Sequence, residues 1–389
     1  MNNLPLNRLG EVAKLFLKLG VIGFGGPVAH IAMIEDEVVK RRQWLTQEHF
    51  LDLLGATNLI PGPNSTEMAI HIGYIYAGWL GLIIAGVCFI LPAVLITGIF
   101  AWLYVNYGTL PQFSPLLYGI KPAVLAIILN ALWSLGKKAV KTRQLLIIAV
   151  AVGLINWFGN INEVISLLLG GILGMIWLRN SNQTNLIITA LTISTTLPVI
   201  TITPIVPLWK LGLFFIKVGS VLFGGGYLLI AFLQGGLVDE YGWLTQKQLL
   251  DAVAIGQFTP GPVLSTATFI GYIIADIPGA IVATIGIFLP SFLFVLILNP
   301  LIPRLRSSSW TRAFLDAVNV SAVALMVVTT LQLGIVTLTI EKVPYIDFFG
   351  LVIFFISAVL AIRYRINAAW LVLGGGLIGW GTSILGYVQ

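Results

Sequence analysis

Two runs in this chain join helix breakers to small polar side chains: Pro61-Gly62-Pro63-Asn64-Ser65-Thr66, and Pro260-Gly261-Pro262 with Ser265-Thr266. Pro-Gly-Pro removes two backbone donors and turns the preceding residue away from helix, so an arriving helix must stop there. The polar residues that follow suit the N-cap of a new half-helix. Its free N–H groups and the positive end of its dipole would hold an anion. Phe24-Gly25-Gly26 and Phe223-Gly224-Gly225 supply turns where backbone donors can approach a ligand closely. Lys18 and Lys217 each precede a Gly-Gly by a turn or two. They read either as ammonium groups that compensate a divalent anion or as side chains that snorkel to the membrane interface. The expected anion-binding set is therefore Gly25, Gly26, Asn64, Ser65, Thr66, Gly224, Gly225, Ser265, Thr266, Lys18 and Lys217. Pro61, Gly62, Pro63, Pro260, Gly261 and Pro262 break the helices that present it.

Four ionisable residues are candidates for coupling or gating. Glu67 falls one turn into the proposed half-helix with His71 four residues on, whereas the second run offers Ala267 and Thr268 and no ionisable match. A carboxyl there either caps the helix start or carries a coupling proton. His30 lies four residues past Gly26 and reads as a packed neutral histidine or a substrate contact. Lys121 has Asn319 as its counterpart and reads as a snorkelling or a gating lysine. Glu35, Asp36 and Glu37 with Lys40, Arg41 and Arg42 form a solvated helix face or a gate of ion pairs. Trp44 and Trp243 read as interfacial anchors. No His-Glu-x-x-His helix, Gly-x-Ser-x-Gly elbow or cysteine cluster is present, so no catalytic residues, metal site or cofactor are expected.

The elements that must position these residues are membrane helices. The chain is 58% hydrophobic and 9% charged, with a mean hydropathy of +0.98. A soluble domain carries roughly 25% charged residues. Stretches such as 80–104 and 281–298 are continuously apolar, which favours helices over an alternating barrel. Met1–Glu11 shows no cleavable-signal pattern, and Cys88 lies in an apolar run where packing is its expected role. The net charge of +6 marks membrane-flanking loops rather than nucleic-acid binding.

The chain is also a tandem repeat. Phe24-Gly25-Gly26, Trp44-Leu45-Thr46-Gln47, Asp52 and Pro61-Gly62-Pro63 return at an offset of 199, and 9 of 20 positions in 44–63 are identical in 243–262. Gly73-Tyr74 and Leu91-Pro92 return at Gly271-Tyr272 and Leu289-Pro290. Repeated broken helices in an apolar chain are the mark of a secondary transporter rather than an enzyme. Residues 1–203 are read as an N-terminal repeat with both hairpins and about five spans, the last at 185–203. Residues 204–389 are read as a C-terminal repeat with both hairpins and about four. Basic residues at 40–42 and 137–143 find few or none in the matching loops, while 303–312 is basic where 105–114 is not. The positive-inside rule reads this bias as two halves of opposite orientation. The expected fold is thus an all-α integral membrane protein of two inverted repeats with broken, re-entrant helices near the midplane. It has nine crossings if the hairpin arms do not cross and thirteen if they do.

At Gly23-Phe24-Gly25-Gly26-Pro27 with His30, Trp44-Leu45-Thr46 and Pro61–Glu67 running to His71-Ile72-Gly73-Tyr74, the chain resembles the chromate ion transporter family, with echoes at Phe223–Gly226, Trp243–Thr245 and Pro260–Pro262. The resemblance covers both halves. It implies a prokaryotic, multi-pass protein of two opposed halves that moves chromate, and with it sulfate, across the cytoplasmic membrane, with efflux as the usual outcome; the repeated broken helices suggest alternating access by rocking of the repeats. The alternative is a permease or exchanger for sulfate or another anion, because sulfate shares chromate's shape and charge. The implied partners are chromate, sulfate as competitor, and the bilayer. A second copy could dock through small-residue faces such as Gly374-Gly375-Gly376, which could equally serve internal packing.

Overall fold

The computed structural model describes residues 4–24, 26–108, 110, 114–159, 161–179, 206–223, 226–298, 308–339 and 347–384, and among these the regular structure is helical. The candidate span 185–203 and residues 204–205 of the joint between repeats lie outside the described residues.

In the first repeat α1 (Leu4–Ile22) is followed by α2 (Gly26–Glu35), which continues as a π-helix over Asp36–Arg41. Next come α3 (Gln47–Thr57), α4 (Asn64–Tyr107), α5 (Ser114–Ala139), α6 (Arg143–Gly159) and α7 (Glu163–Arg179). The second repeat gives α8 (Leu208–Val221), α9 (Leu229–Leu233) with a π-helix over Gln234–Glu240, and α10 (Gln246–Phe258). A 3₁₀ turn over Val263–Ser265 leads into α11 (Thr266–Leu298), followed by α12 (Ser309–Leu338), α13 (Phe348–Ile362) and α14 (Ala368–Ile384). Four segments, 64–107, 115–139, 263–297 and 309–338, are long and apolar enough to cross a membrane, and α6, α13 and α14 are shorter apolar helices.

The repeated Trp-Leu-Thr motif has a local cause. The hydroxyls of Thr46 and Thr245 accept the N–H of His49 and Gln248, capping α3 and α10, and Gln248 completes a capping box. The indoles stack on tyrosines: Trp44 on Tyr76 at 3.9 Å and Trp243 on Tyr241 at 4.5 Å.

Each of α4 and α11 is a folded pair rather than a rod. Ala77 and Gly78 leave helical geometry, Gly78 with φ +69°, and so do Ala275 and Asp276, the latter with φ +49°. The chain doubles back so tightly that a Cβ on Gly73 would strike the Gly81 carbonyl, and one on Gly271 the Gly279 carbonyl. The first arm of α4, about 13 residues, reaches only ~20 Å, short of the ~30 Å hydrocarbon core. α3 and α10 have 11 and 13 residues and are equally short. α1 lies beside the second arm of α4, with Glu11 accepting the Tyr76 hydroxyl at one end and Gly20 against the Phe89 carbonyl at the other. Residues 8–11, 44 and 76 thus share one level, and Gly20, near the other end of α1, lies at that of Phe89.

The rest of the bundle exchanges partners between repeats. α5 packs on α13 and α14, and α12 packs on α6 and α7. Small residues permit both contacts: Gly119 meets the backbone of Gly375 and Gly379, and Gly170 and Gly174 meet Ser321 and Ala317. Gly375 is thereby committed to the fold, while Gly374 has open space beside it. Gly119→Leu should therefore destabilise the protein. Overpacking costs about 1–3 kcal/mol, and the obstruction here is backbone, so a lower unfolding temperature in detergent is expected, with Gly374→Leu unchanged.

Candidate functional site

The site is built by two hydrogen bonds that cross between repeats. The Gly62 N–H donates to the Leu222 carbonyl at 2.7 Å, and the Gly261 N–H donates to the Gly23 carbonyl at 2.7 Å. Each Pro-Gly-Pro turn is thus pinned to the chain just ahead of the other repeat's Gly-Gly. The glycines are required by conformation, with φ +149° at Gly62 and +91° at Gly261. Both loops open alike, Phe24 N–H on the Ile22 carbonyl and Phe223 N–H on Val221. Gly26 and Gly226 carry φ of +75° and +91°. Gly25, Gly224 and Gly225 lie outside the described residues.

Helix starts beside these turns differ from expectation in one respect. Pro63 and Pro262, in extended geometry, occupy the N-cap positions without a side-chain cap, because each proline ends the extended turn and the helix begins directly after it. Asn64, Ser65 and Thr66 are therefore the first helical residues, and their side chains are free for other contacts. The Pro63 carbonyl accepts from Thr66 and Glu67, leaving the amides of Asn64 and Ser65 at the tip of α4. In the second repeat Pro262 accepts from Ser265, leaving Val263 and Leu264 at the tip.

The side chains sort into three groups. Ser65 faces His30, whose Nδ1 lies 3.3 Å from the Ser65 hydroxyl while Nε2 lies 2.8 Å from the Gly23 carbonyl. A carbonyl only accepts, so Nε2 carries the proton and a neutral His30 takes the Ser65 O–H at Nδ1. Ser265 accepts from Thr97 of the first repeat at 3.2 Å, and Thr266 donates to the Val263 carbonyl at 2.7 Å. Asn64 is tied back to Asn58 at 2.7 Å.

Glu67 is fully buried and folds back over its own turn: a Cβ on Gly62 would meet its carboxyl and the Ser291 hydroxyl. Neither Glu67 oxygen, neither His71 nitrogen, nor the hydroxyls of Thr66 and Ser291 have a hydrogen-bond partner among the described residues. The second repeat's matching corner is apolar, with Ala93 against Gly261.

Lys18 pairs with Glu37 at 2.7 Å, and that contact, helped by Arg42, holds the Glu37 carboxyl below the ordinary range. Lys217 is exposed. Lys121 lies 3.8 Å from Asp251, a wholly buried carboxylate that also accepts the Tyr104 hydroxyl at 2.8 Å. Near this pair a cavity of about 370 Å³ is walled mostly by apolar side chains including Phe100, Ile120, Ala254 and Phe258, a lining that suits an apolar guest better than an anion. Sequence reasoning missed Ser291, Thr97, Tyr104 and the role of Asp251. One signal was present: Pro92-Ala93 and Pro290-Ser291 follow matched leucines, and the departure after the proline is a gain of a hydroxyl.

Comparison with known proteins agrees with this architecture. The family model described as "Chromate transporter" matches residues 10–175 and 209–380. The chain is 33% identical over 387 residues to the "Chromate transport protein" of Cupriavidus metallidurans, covering 96% of this chain and 93% of that protein. It is 33% identical over 344 residues to a "Probable chromate transport protein" of Synechococcus elongatus, covering 85% and 86%. An uncharacterized transporter of Methanocaldococcus jannaschii is 28% identical over 344 residues, covering 82% and 83%. No solved structure matches.

Proposed function

The chain belongs to the chromate transporter family, and from that premise we propose that it carries chromate out across the cytoplasmic membrane, holding the anion between the tips of α4 and α11. It is a multi-pass membrane transporter rather than an enzyme. The observation that supports the site is the pair of crossed bonds, Gly62 to Leu222 and Gly261 to Gly23, by which each Pro-Gly-Pro turn meets the chain just ahead of the other repeat's Gly-Gly. Chromate is a tetrahedral dianion, and helix N-termini present amides and dipole charge to such a guest without a metal.

Inverted repeats give the site its mechanism. Leu82 and Gly86 of α4 meet Val295 and Phe292 of α11, whereas Thr97 meets Ser265 and Tyr104 meets Phe269. Such a register supports second arms that run antiparallel, with the two half-helices leaving the centre in opposite directions. Basic residues support one common face: Lys141 pairs with Asp316 at 2.8 Å, and Arg179 bonds Ser309 at 2.7 Å and lies over Trp310. That face is cytoplasmic by the positive-inside rule. Rocking of one repeat against the other would expose the shared site to each side in turn.

Purified protein in liposomes should move chromate, and sulfate should compete because backbone donors read shape and charge alone. On anion binding the Ser65 O–H would turn from His30 Nδ1 to the guest, so Ser65→Ala should reduce chromate affinity about tenfold, the equivalent of ~1.4 kcal/mol. Unaltered transport by Ser65→Ala would remove Ser65 from the site, and absence of flux in the parent protein would refute the reading.

A further inference from the structure

We propose that Glu67, Ser291 and His71 form a proton site that links oxyanion binding at the head of α4 to uptake of one proton, delivered along α4 from the basic face. The inference rests on the reading that an oxyanion occupies the helix tips. It adds a second ligand, the proton, and a residue of the other repeat, Ser291.

Internal comparison carries the first step. Both Pro-Gly-Pro turns are pinned by the same crossed bond and lead into a helix, the first directly into α4 and the second through a 3₁₀ turn into α11. Only the first places a carboxyl over its glycine. The second has Thr266 tied to its own turn and Ala93 in the place of Ser291. The turn therefore forms without a carboxyl, and Glu67 is not there to build it.

Burial carries the second step. Glu67 and Ser291 are fully buried, and both Glu67 oxygens and the Ser291 hydroxyl lack partners among the described residues. Buried polar groups in native proteins are almost always satisfied, so a cluster of unpaired ones calls for a specific use. A neutral carboxyl can donate to the facing Ser291 hydroxyl, and an ionised one can accept from it, so this corner accommodates Glu67 in both states.

Electrostatics links the proton to the anion. Glu67 lies in the first turn of α4, within the stretch whose amides would hold the guest. An ionised Glu67 would occupy the positive end of the dipole itself and repel a dianion. Protonation removes that competitor.

The route follows from the helix. His71 lies one turn beyond Glu67 on the same face, buried, with both ring nitrogens unpaired among the described residues. The arm continues to Tyr76, which meets Glu11, Arg8 and Trp44 at the level of the Arg42 loop. One proton from water at that face enters at one imidazole nitrogen and leaves from the other to a Glu67 oxygen, so His71 ends with the protons it began with. Other ionisable groups around this arm are engaged elsewhere. From α2, His30 bonds Gly23 and Ser65; from α1, Lys18 is held by Glu37; on α3, Glu48, His49 and Asp52 are exposed. α11 presents Ser291 there, with Asp276 at its distant bend.

The test uses the full chain in detergent, in weak buffer at alkaline pH where chromate is fully deprotonated. Radiochromate binding and proton uptake, read by an indicator dye, are recorded together. The parent protein should take up about one proton per chromate bound, with affinity falling about tenfold per pH unit, as one linked proton requires. Glu67→Gln should bind with an affinity independent of pH and without proton uptake, whereas Glu67→Asp, which retains a carboxyl, should keep the linkage. His71→Phe should slow liposome transport at least tenfold. Proton uptake persisting in Glu67→Gln overturns the proton site, as does loss of linkage in a folded Glu67→Asp. Transport at the parent rate in His71→Phe overturns the route. Absence of chromate binding by the parent protein overturns instead the reading on which the proposal rests.

Discussion

Gly62→Val is expected to lower chromate transport in liposomes by about 100-fold or more, in protein that still inserts and folds. The residue sits at φ +149°, where a side chain is strained, and its Cβ would meet the Glu67 carboxyl and the Ser291 hydroxyl. Any relief moves the turn, and with it the N–H that reaches Leu222 and the tip amides of Asn64 and Ser65. A misplacement of about 1 Å in a positioned site can cost about 100-fold in rate. Gly261→Val should behave alike, since φ there is +91° and its Cβ would press on Ala93. Gly78→Ala is the control. Gly78 also has positive φ, +69°, but open space surrounds it. Conformational strain of about 1–3 kcal/mol should lower stability while transport survives. Equal loss of transport in Gly78→Ala and Gly62→Val would show that strain, not site geometry, is being read.

The second large effect concerns Lys121 and Asp251, which join α5 of the first repeat to α10 of the second. Asp251 is wholly buried and the Lys121 side chain is 16% exposed, and Tyr104 of α4 donates to the same carboxylate. Lys121→Met alone should destabilise the protein by about 3–5 kcal/mol, because it strands a buried charge. Lys121→Met with Asp251→Leu should recover most of that loss, since an apolar pair of similar volume replaces an ion pair that was costly to desolvate. Thermal unfolding of the two single variants and the double variant in detergent gives the coupling directly. Additive losses would mean the two groups do not act as a pair.

How far the site could be read from the residues alone depended on whether the cause was local. Pro61-Gly62-Pro63 and its repeat stop a helix in any context, and the apolar stretch 80–104 opens just past the bend at Ala77–Gly78. Thr46 caps α3 for equally local reasons. Partner choice is a different matter. Nothing in the apolar faces of α5 and α12 distinguishes one neighbour from another, so the exchange of partners between repeats was not legible. Lys18 could be placed near its glycine turn but not matched to Glu37, 19 residues on, because that pair depends on how α2 returns along α1. Ser291 was hidden because it belongs to the opposite repeat from the turn it faces, and only the break with Ala93 marked it.

The most direct test is a structure of the protein with bound chromate, in which chromium is located by its anomalous scattering. The account places one chromium peak between the two helix tips, within hydrogen-bonding reach of the amides of Asn64 and Ser65 and bounded by the Pro262–Thr266 turn. A saturated crystal whose chromium lies only against the basic loops, or against the apolar cavity beside Phe100 and Phe258, would contradict it.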